Sequence, residues 1–209
     1  MSTLNKPDQE HYVVARIQEQ MPDKQLSVVD RYFTRRYRVD NNGETAEDQC
    51  ILSHSNRICI IAVAPSHPML KTTVTGVSFQ VTDDVNRLEN KVSGKSKRGA
   101  QWLKPKSALC IVTCDNGQQY TLNSCMRGQL IEVNENLLQN PRLLTEKPLT
   151  EGYVAIVLPV LHDYEREMSK LLSEADYQGV LAQRLVSTES TETAALMDCE
   201  TNKTFSRKD

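Results

Sequence analysis

Aromatic side chains are scarce in this 209-residue chain: one Trp, three Phe and seven Tyr make up 5% of it. The core must therefore come from aliphatic side chains, which suits a small β domain with tails better than two large domains. Long apolar runs are missing too. No stretch approaches the roughly 18 apolar residues that read as a membrane span. The opening MSTLNKPDQEHYVV has no apolar signal core. The expectation is a soluble, intracellular chain that makes no membrane contact. Charge of either sign is barely in excess, with a net −2 and a pI near 6.1. The overall field thus favours neither nucleic acid nor an anionic membrane, and any such binding must come from a local patch. Six cysteines are present, but no CxxC pair. Without a secretory signal, Cys50, Cys59, Cys110, Cys114, Cys125 and Cys199 are expected as free thiols. Cys110 and Cys114 share one face of a predicted strand and read as packed small hydrophobes rather than metal ligands. Asp83, Asp84 and Glu89 are too few and wrongly spaced for a calcium loop.

What is present is mostly β. Cys50–Leu52 and Ile58–Val63 read as strands around the polar turn Ser53–Asn56, and Pro65 and Pro68 stop the second. Val77, Phe79 and Val81 alternate with polar residues, as in a half-buried strand. Leu109–Val112 and Tyr120–Leu122 flank Asn116-Gly117, the dipeptide favoured by a type I′ hairpin turn. Leu130–Val133 and the apolar run Val154–Leu158 are two further strands. Between them, Leu137 and Leu138 suit a helical turn that Asn140-Pro141 ends. After Pro159 the pattern becomes helical. Tyr164, Met168, Leu171 and Leu172 suit one helix. Ser173 caps a second, whose stripe is Tyr177, Val180, Leu181, Arg184 and Leu185. The N-terminal residues Tyr12, Val13, Ala15 and Ile17 suit a short helix between Pro7 and Pro22. The Ser/Thr/Glu-rich end is expected to be disordered. The expected division is a tail over 1–27, a β core over 28–160, a helical extension over 161–186 and a tail over 187–209.

Two segments carry positive charge. In 28–38, Arg31, Arg35, Arg36 and Arg38 are interleaved with Tyr32, Phe33 and Tyr37. This reads as an edge segment that plugs its rings into the core, or as a contact surface for protein or RNA. From Lys91 to Cys114, six cations (Lys91, Lys95, Lys97, Arg98, Lys104 and Lys106) occur with no acidic residue. Gly94 and Gly99 bracket the densest part, which is expected at a loop or strand end. It suits solvated charge or an acidic partner. Gly94-Lys95-Ser96 echoes a P-loop, but Glu89 stands where that loop needs glycine. His54 reads as a turn residue with local hydrogen bonds. Glu132 and Glu135 read as capping groups at a strand-to-helix junction. No arrangement of nucleophile, base and oxyanion donor is evident, so catalysis is not expected.

Within Gly128–Pro159, the order EVNE, an NP-containing connection, then EGY and an apolar strand resembles the glycine-cleavage H protein, a lipoyl-carrier domain. A weak internal repeat supports this. Val92–Lys95, Gly99–Leu103 and Leu109–Val112 form one copy; Met126–Gln129, Asn134-Glu135 and Val154–Val157 form the other. The resemblance implies a barrel-sandwich hybrid core, in which a hairpin presents the lysine that holds the cofactor. Counted back from Gly128, that position is Gly117, and no lysine lies between Lys106 and Lys147. The expected cofactor set is therefore none, with an acyl carrier or carrier-linked component as the alternative.

Four further motifs occur in order: Asp30–Thr34, His54–Cys59, Asn90–Lys95 with Lys97–Gln101, and Glu132–Asn136. Together they resemble the Abitram family of actin-binding transcription modulators over roughly residues 28–184. The resemblance implies binding to monomeric and filamentous actin and effects on filament assembly. It also implies a nuclear-speckle pool linked to transcription and a cytoplasmic pool in actin-rich cell projections. It supplies no residue-level site. The candidate partner-binding residues Arg31, Arg35, Arg36, Lys95, Lys97 and Arg98 come from the charge pattern alone.

Overall fold

The computed structural model describes residues 26–187. The expected N-terminal helix, Cys199 and the end beyond residue 187 lie outside the described residues. A single helical turn, α1 (Val28–Tyr32), leads into β1 (Phe33–Arg38). It forms because Ser27 Oγ accepts the Asp30 N–H. Then follow β2 (Gln49–His54), β3 (Cys59–Val63), β4 (Val74–Ser78), β5 (Gln80–Thr82) and β6 (Val85–Asn86). Next come β7 (Trp102–Leu103), β8 (Ala108–Cys114), β9 (Gln119–Asn123) and β10 (Gly128–Val133). The short helices α2 (Asn136–Gln139) and α3 (Leu143–Glu146) precede β11 (Ala155–Pro159). The described chain closes with α4 (Tyr164–Met168) and α5 (174–187).

One sheet has six strands in the order β1-β2-β3-β11-β10-β7, a second has three, β4-β8-β9, and a third is the pair β5-β6. Every strand pairing is antiparallel. The first two enclose one interior. Ile51, Ile61, Leu130 and Val157 from the large sheet join Val74, Cys110, Val112 and Leu122 from the three-stranded one in a single buried cluster. This is the barrel-sandwich arrangement, built from aliphatic side chains as the composition requires. The repeat copies meet directly, since β7 pairs with β10, Trp102 opposite Gln129 and Leu103 opposite Gly128. Cys110 and Cys114 both point inward and are buried, and burial pushes the Cys110 thiol up to about 12. No helix among the described residues is long and apolar enough to cross a membrane.

The C-terminal segment packs on the outer face of the large sheet. Ser173 caps α5 as expected, its hydroxyl donating to Asp176 Oδ2 at 2.6 Å and accepting the Asp176 N–H. A second buried cluster joins Tyr177 to Tyr37, Cys50, Leu52 and Ala62. Tyr177 stacks on Tyr37 with centroids 4.0 Å apart and planes 7° from parallel.

Four local expectations are corrected. The Tyr164 helix ends at Met168, and Leu172 instead exchanges backbone hydrogen bonds with Tyr37 at 3.0 and 2.9 Å. Leu185 lies outside the buried stripe and is exposed. The β8–β9 connection is not a type I′ turn. Gly117 alone takes a positive φ (+80°), and Gly117 N–H bonds the Cys114 carbonyl at 3.1 Å. The loop is therefore three residues, Asp115–Gly117, whose extra length lets glycine alone carry the left-handed step. Finally, Tyr32 does not plug into the core: it is exposed, while Phe33 is half-buried and Tyr37 is buried.

Candidate functional site

The two cationic segments lead into the strands at opposite edges of the six-stranded sheet, β1 and β7. On the β1 side, Asp30, Arg31, Tyr32, Arg36, Arg57 and Tyr164 line part of a cleft of about 610 Å³. Arg57 closes the β2–β3 turn with φ +68° and sets its guanidinium 5.6 Å from the Tyr164 ring centroid. Arg31 lies 5.7 Å from the Tyr32 centroid. Arg31 and Arg36 thus face the cleft. Arg35 is held within the chain by Asp30 Oδ1 at 2.5 Å, and its Nε is buried. The Ser27 hydroxyl and Arg35 keep the Asp30 carboxyl below the usual range.

At the cleft floor Ser53 and Tyr164 share a short hydroxyl–hydroxyl hydrogen bond. His54 does not join it, because its Nδ1 accepts the Asn56 N–H at 3.2 Å. No serine–histidine pair forms there, and His54 has the turn role its context suggested. His67, in the connection after β3, is buried. Its Nδ1 accepts the Met69 N–H at 3.2 Å and its ring meets Tyr120 edge-on at 5.1 Å. Burial drives its pKa down to about 4, against a raising influence from Asp48. Below the ordinary value of about 6.5, the unfolded chain takes up this proton and the folded one does not. Stability contributed by a neutral His67 should therefore fall as pH drops from about 6.5 to about 4. An imidazole NMR titration should show His67 unprotonated through that window.

On the β7 side, Lys95, Lys97 and Arg98 sit on a tight turn. Ser93 and Arg98 exchange backbone hydrogen bonds at 3.0 and 2.9 Å. Gly94, Lys97 and Gly99 all take positive φ, and a Cβ on Gly99 would lie 2.4 Å from the Lys91 carbonyl oxygen. The backbone is thus locked while Lys95 and Arg98 remain exposed and Lys97 half-buried. Gln129, opposite Trp102, reaches the Lys97 carbonyl at 3.4 Å and fastens the turn to β10.

Two features escaped the sequence reading. Asp48 is fully buried and accepts Arg184 Nη1 at 2.5 Å, Arg184 Nη2 at 3.1 Å, Ser66 Oγ at 2.6 Å and Tyr177 OH at 3.3 Å. The available signal was Arg184 itself, a cation in an apolar stripe. The second is Trp102, which is 63% exposed. The capping role assigned to the acidic pair is corrected as well. Glu135 makes no side-chain cap bond, and Glu132 accepts Tyr153 OH at 2.8 Å. The buried Asn134 amide, which donates to the Glu151 and Tyr153 carbonyls at 2.8 Å each, ties that junction instead.

Gly117, the position counted for a carrier's lysine, stands exposed at the β8–β9 tip. It has no amine to acylate, and its left-handed backbone disfavours any residue with a Cβ. Among the described residues no group of three His, Cys, Asp or Glu side chains is placed to hold a metal ion.

Comparison with known proteins agrees with the H-protein motif. The family model for the glycine cleavage H-protein matches residues 117–184. A solved glycine cleavage system H protein from Mycobacterium marinum aligns with a TM-score of 0.49 at 14% identity, over 71% of this chain and 97% of that one. Protein Abitram of Bos taurus is 50% identical over 164 residues, 78% of this chain and 88% of the relative. That of Xenopus tropicalis is 52% identical, over 76% of this chain and 87% of the relative. The Dictyostelium discoideum protein of the same name is 36% identical, over 72% and 86% respectively. With half its residues shared with a vertebrate relative across 78% of its length, the chain belongs to the Abitram family.

Proposed function

We propose that the chain is a non-enzymatic protein-binding module that contacts monomeric and filamentous actin through the 95–98 turn and modulates filament assembly. The observation that supports this is the turn itself: cations on a locked backbone, in a segment without acidic residues. A preorganised cationic loop loses little conformational freedom on meeting an acidic surface and speeds encounter with it. The lysine-free β8–β9 tip weighs against the acyl-carrier alternative, and a stoichiometric lipoyl adduct in the intact mass of protein from its native cell would revive it.

The test is co-sedimentation with actin filaments. The full chain should pellet with filaments, and K95E/K97E/R98E should weaken binding by about tenfold or more at low salt, an effect that shrinks as salt rises. Equal binding by wild type and triple variant at low salt would end the assignment. The same reading carries a nuclear-speckle pool linked to transcription and a cytoplasmic pool in actin-rich projections. A second reading rests on the β1 cleft, where exposed Tyr32 stands between Arg31 and Arg36 and offers a ring for base stacking. Filter binding to single-stranded RNA with a steep salt slope would support it.

A further inference from the structure

We infer that the free edge of β7, with Trp102 as its anchor, docks an extended acidic segment of the partner as an added strand. This deepens the reading above and rests on the same basic turn.

Three observations converge. Trp102 is the only tryptophan of the chain and is 63% exposed, although indoles are costly to leave in water. β7 is the terminal strand of the six-stranded sheet. The Leu130 N–H bonds the Gln101 carbonyl at 2.9 Å, and the Asn90 side-chain amide bridges the Gln101 N–H and the Leu130 carbonyl at 2.8 and 2.9 Å, so Gln101 and Leu130 occupy a hydrogen-bonded position of the ladder. Alternation along an antiparallel ladder then makes Trp102–Gln129 a non-hydrogen-bonded pair, with the Trp102 N–H and C=O turned to the open edge. Such an edge is a template for another chain.

The third observation sets the occupant's chemistry. Gln129, opposite Trp102 on β10, reaches the Lys97 carbonyl, so the cationic turn lies over the same face of the β7–β10 pair that Trp102 occupies. Lys104, exposed, continues the charge on the other side of Trp102. An incoming strand therefore runs between cations and meets an indole. Trp102, Lys104 and the Gln129 side chain share one face of the sheet, so a strand that carries an apolar residue on that face with acidic residues two positions away on either side satisfies both, the apolar side chain on Trp102 and the carboxylates toward Lys95, Lys97, Arg98 and Lys104. Exclusion of water from the indole by such a side chain is the pattern of an interface hot spot.

Because Trp102 is the sole indole, the selectively excited tryptophan emission of the full chain reports this edge alone. A short Trp-free peptide with glutamate, leucine and glutamate at successive alternate positions and threonine between them should shift the emission to the blue in a saturable way. K95E/K97E/R98E should weaken that titration about tenfold or more. The same peptide with proline at alternate positions, unable to supply strand N–H donors, should also titrate weakly. Trp102→Ala should lose filament co-sedimentation by a similar factor with an unchanged Tm, and Trp102→Phe should restore part of it. If filaments ignore the wild type while the peptide titration holds, the actin reading falls and the docking edge stands. If Trp102→Ala and wild type bind filaments alike and the emission does not move with peptide, the edge is excluded and the actin reading stands.

Discussion

Tyr177→Ala should cost about 3–5 kcal/mol of unfolding free energy, the range for truncating a buried aromatic. The ring is fully buried, lies flat on Tyr37 at 4.0 Å and bonds Ser66 Oγ at 2.6 Å. Removing it opens a cavity between α5 and the sheet and strips Tyr37 of its stacking partner. Tyr177→Phe keeps the stack and loses only the hydroxyl contacts, so it should cost about 1 kcal/mol. Denaturant titration separates the two. Equal effects would mean that the hydroxyl, not the ring, fastens α5.

Asp48→Asn should cost about 3–5 kcal/mol, the penalty for breaking a buried pair from one side. The carboxylate is 0% exposed and receives the Arg184 guanidinium, the Ser66 hydroxyl and the Asp40 N–H. Burial alone would raise its pKa, but the Arg184, Ser66 and Asp40 donors outweigh it and hold the carboxyl below the ordinary value. A depressed folded pKa means that this stability is present above the unfolded value of about 3.9 and is lost as pH falls through the folded one. Wild type should therefore destabilise steeply below about pH 4, and Asp48→Asn should lose that part of the acid slope. Arg184→Ala should mimic the variant at neutral pH. Because Tyr177, Arg184 and Asp48 share one network, their double mutants should fall short of additivity.

The strands were legible because their signals are local. Ile58–Val63 is apolar and β-branched and ends at Pro65. The cap at Ser173 was legible for the same reason. The misses depend on distant partners. The alternation of Val77, Phe79 and Val81 reads as one strand, but the chain breaks at Phe79 between β4 and β5, which lie in different sheets. Leu172 looked helical from its spacing, yet it leaves the helix to pair with Tyr37, far away in sequence. Tyr32 looked like a core ring from composition, yet the one-turn α1 turns it outward and leaves Tyr37 to plug the sheet. The Asn116-Gly117 dipeptide announced a hairpin but not its loop length. The basic turn was bracketed correctly by Gly94 and Gly99. What no local pattern carried was its attachment to β10 through Gln129, and with it the company of Trp102.

The Abitram assignment and the H-protein motif describe a scaffold whose hairpin tip offers no amine. The central claim is that contact has moved from that tip to the cationic turn. Zero-length carbodiimide coupling of the full chain to actin, followed by mass spectrometry, tests this directly because it joins lysine amines to partner carboxylates. The account predicts links from Lys95 and Lys97, with Lys104 beside them. Links confined to Lys71, Lys147 and Lys170 would contradict it.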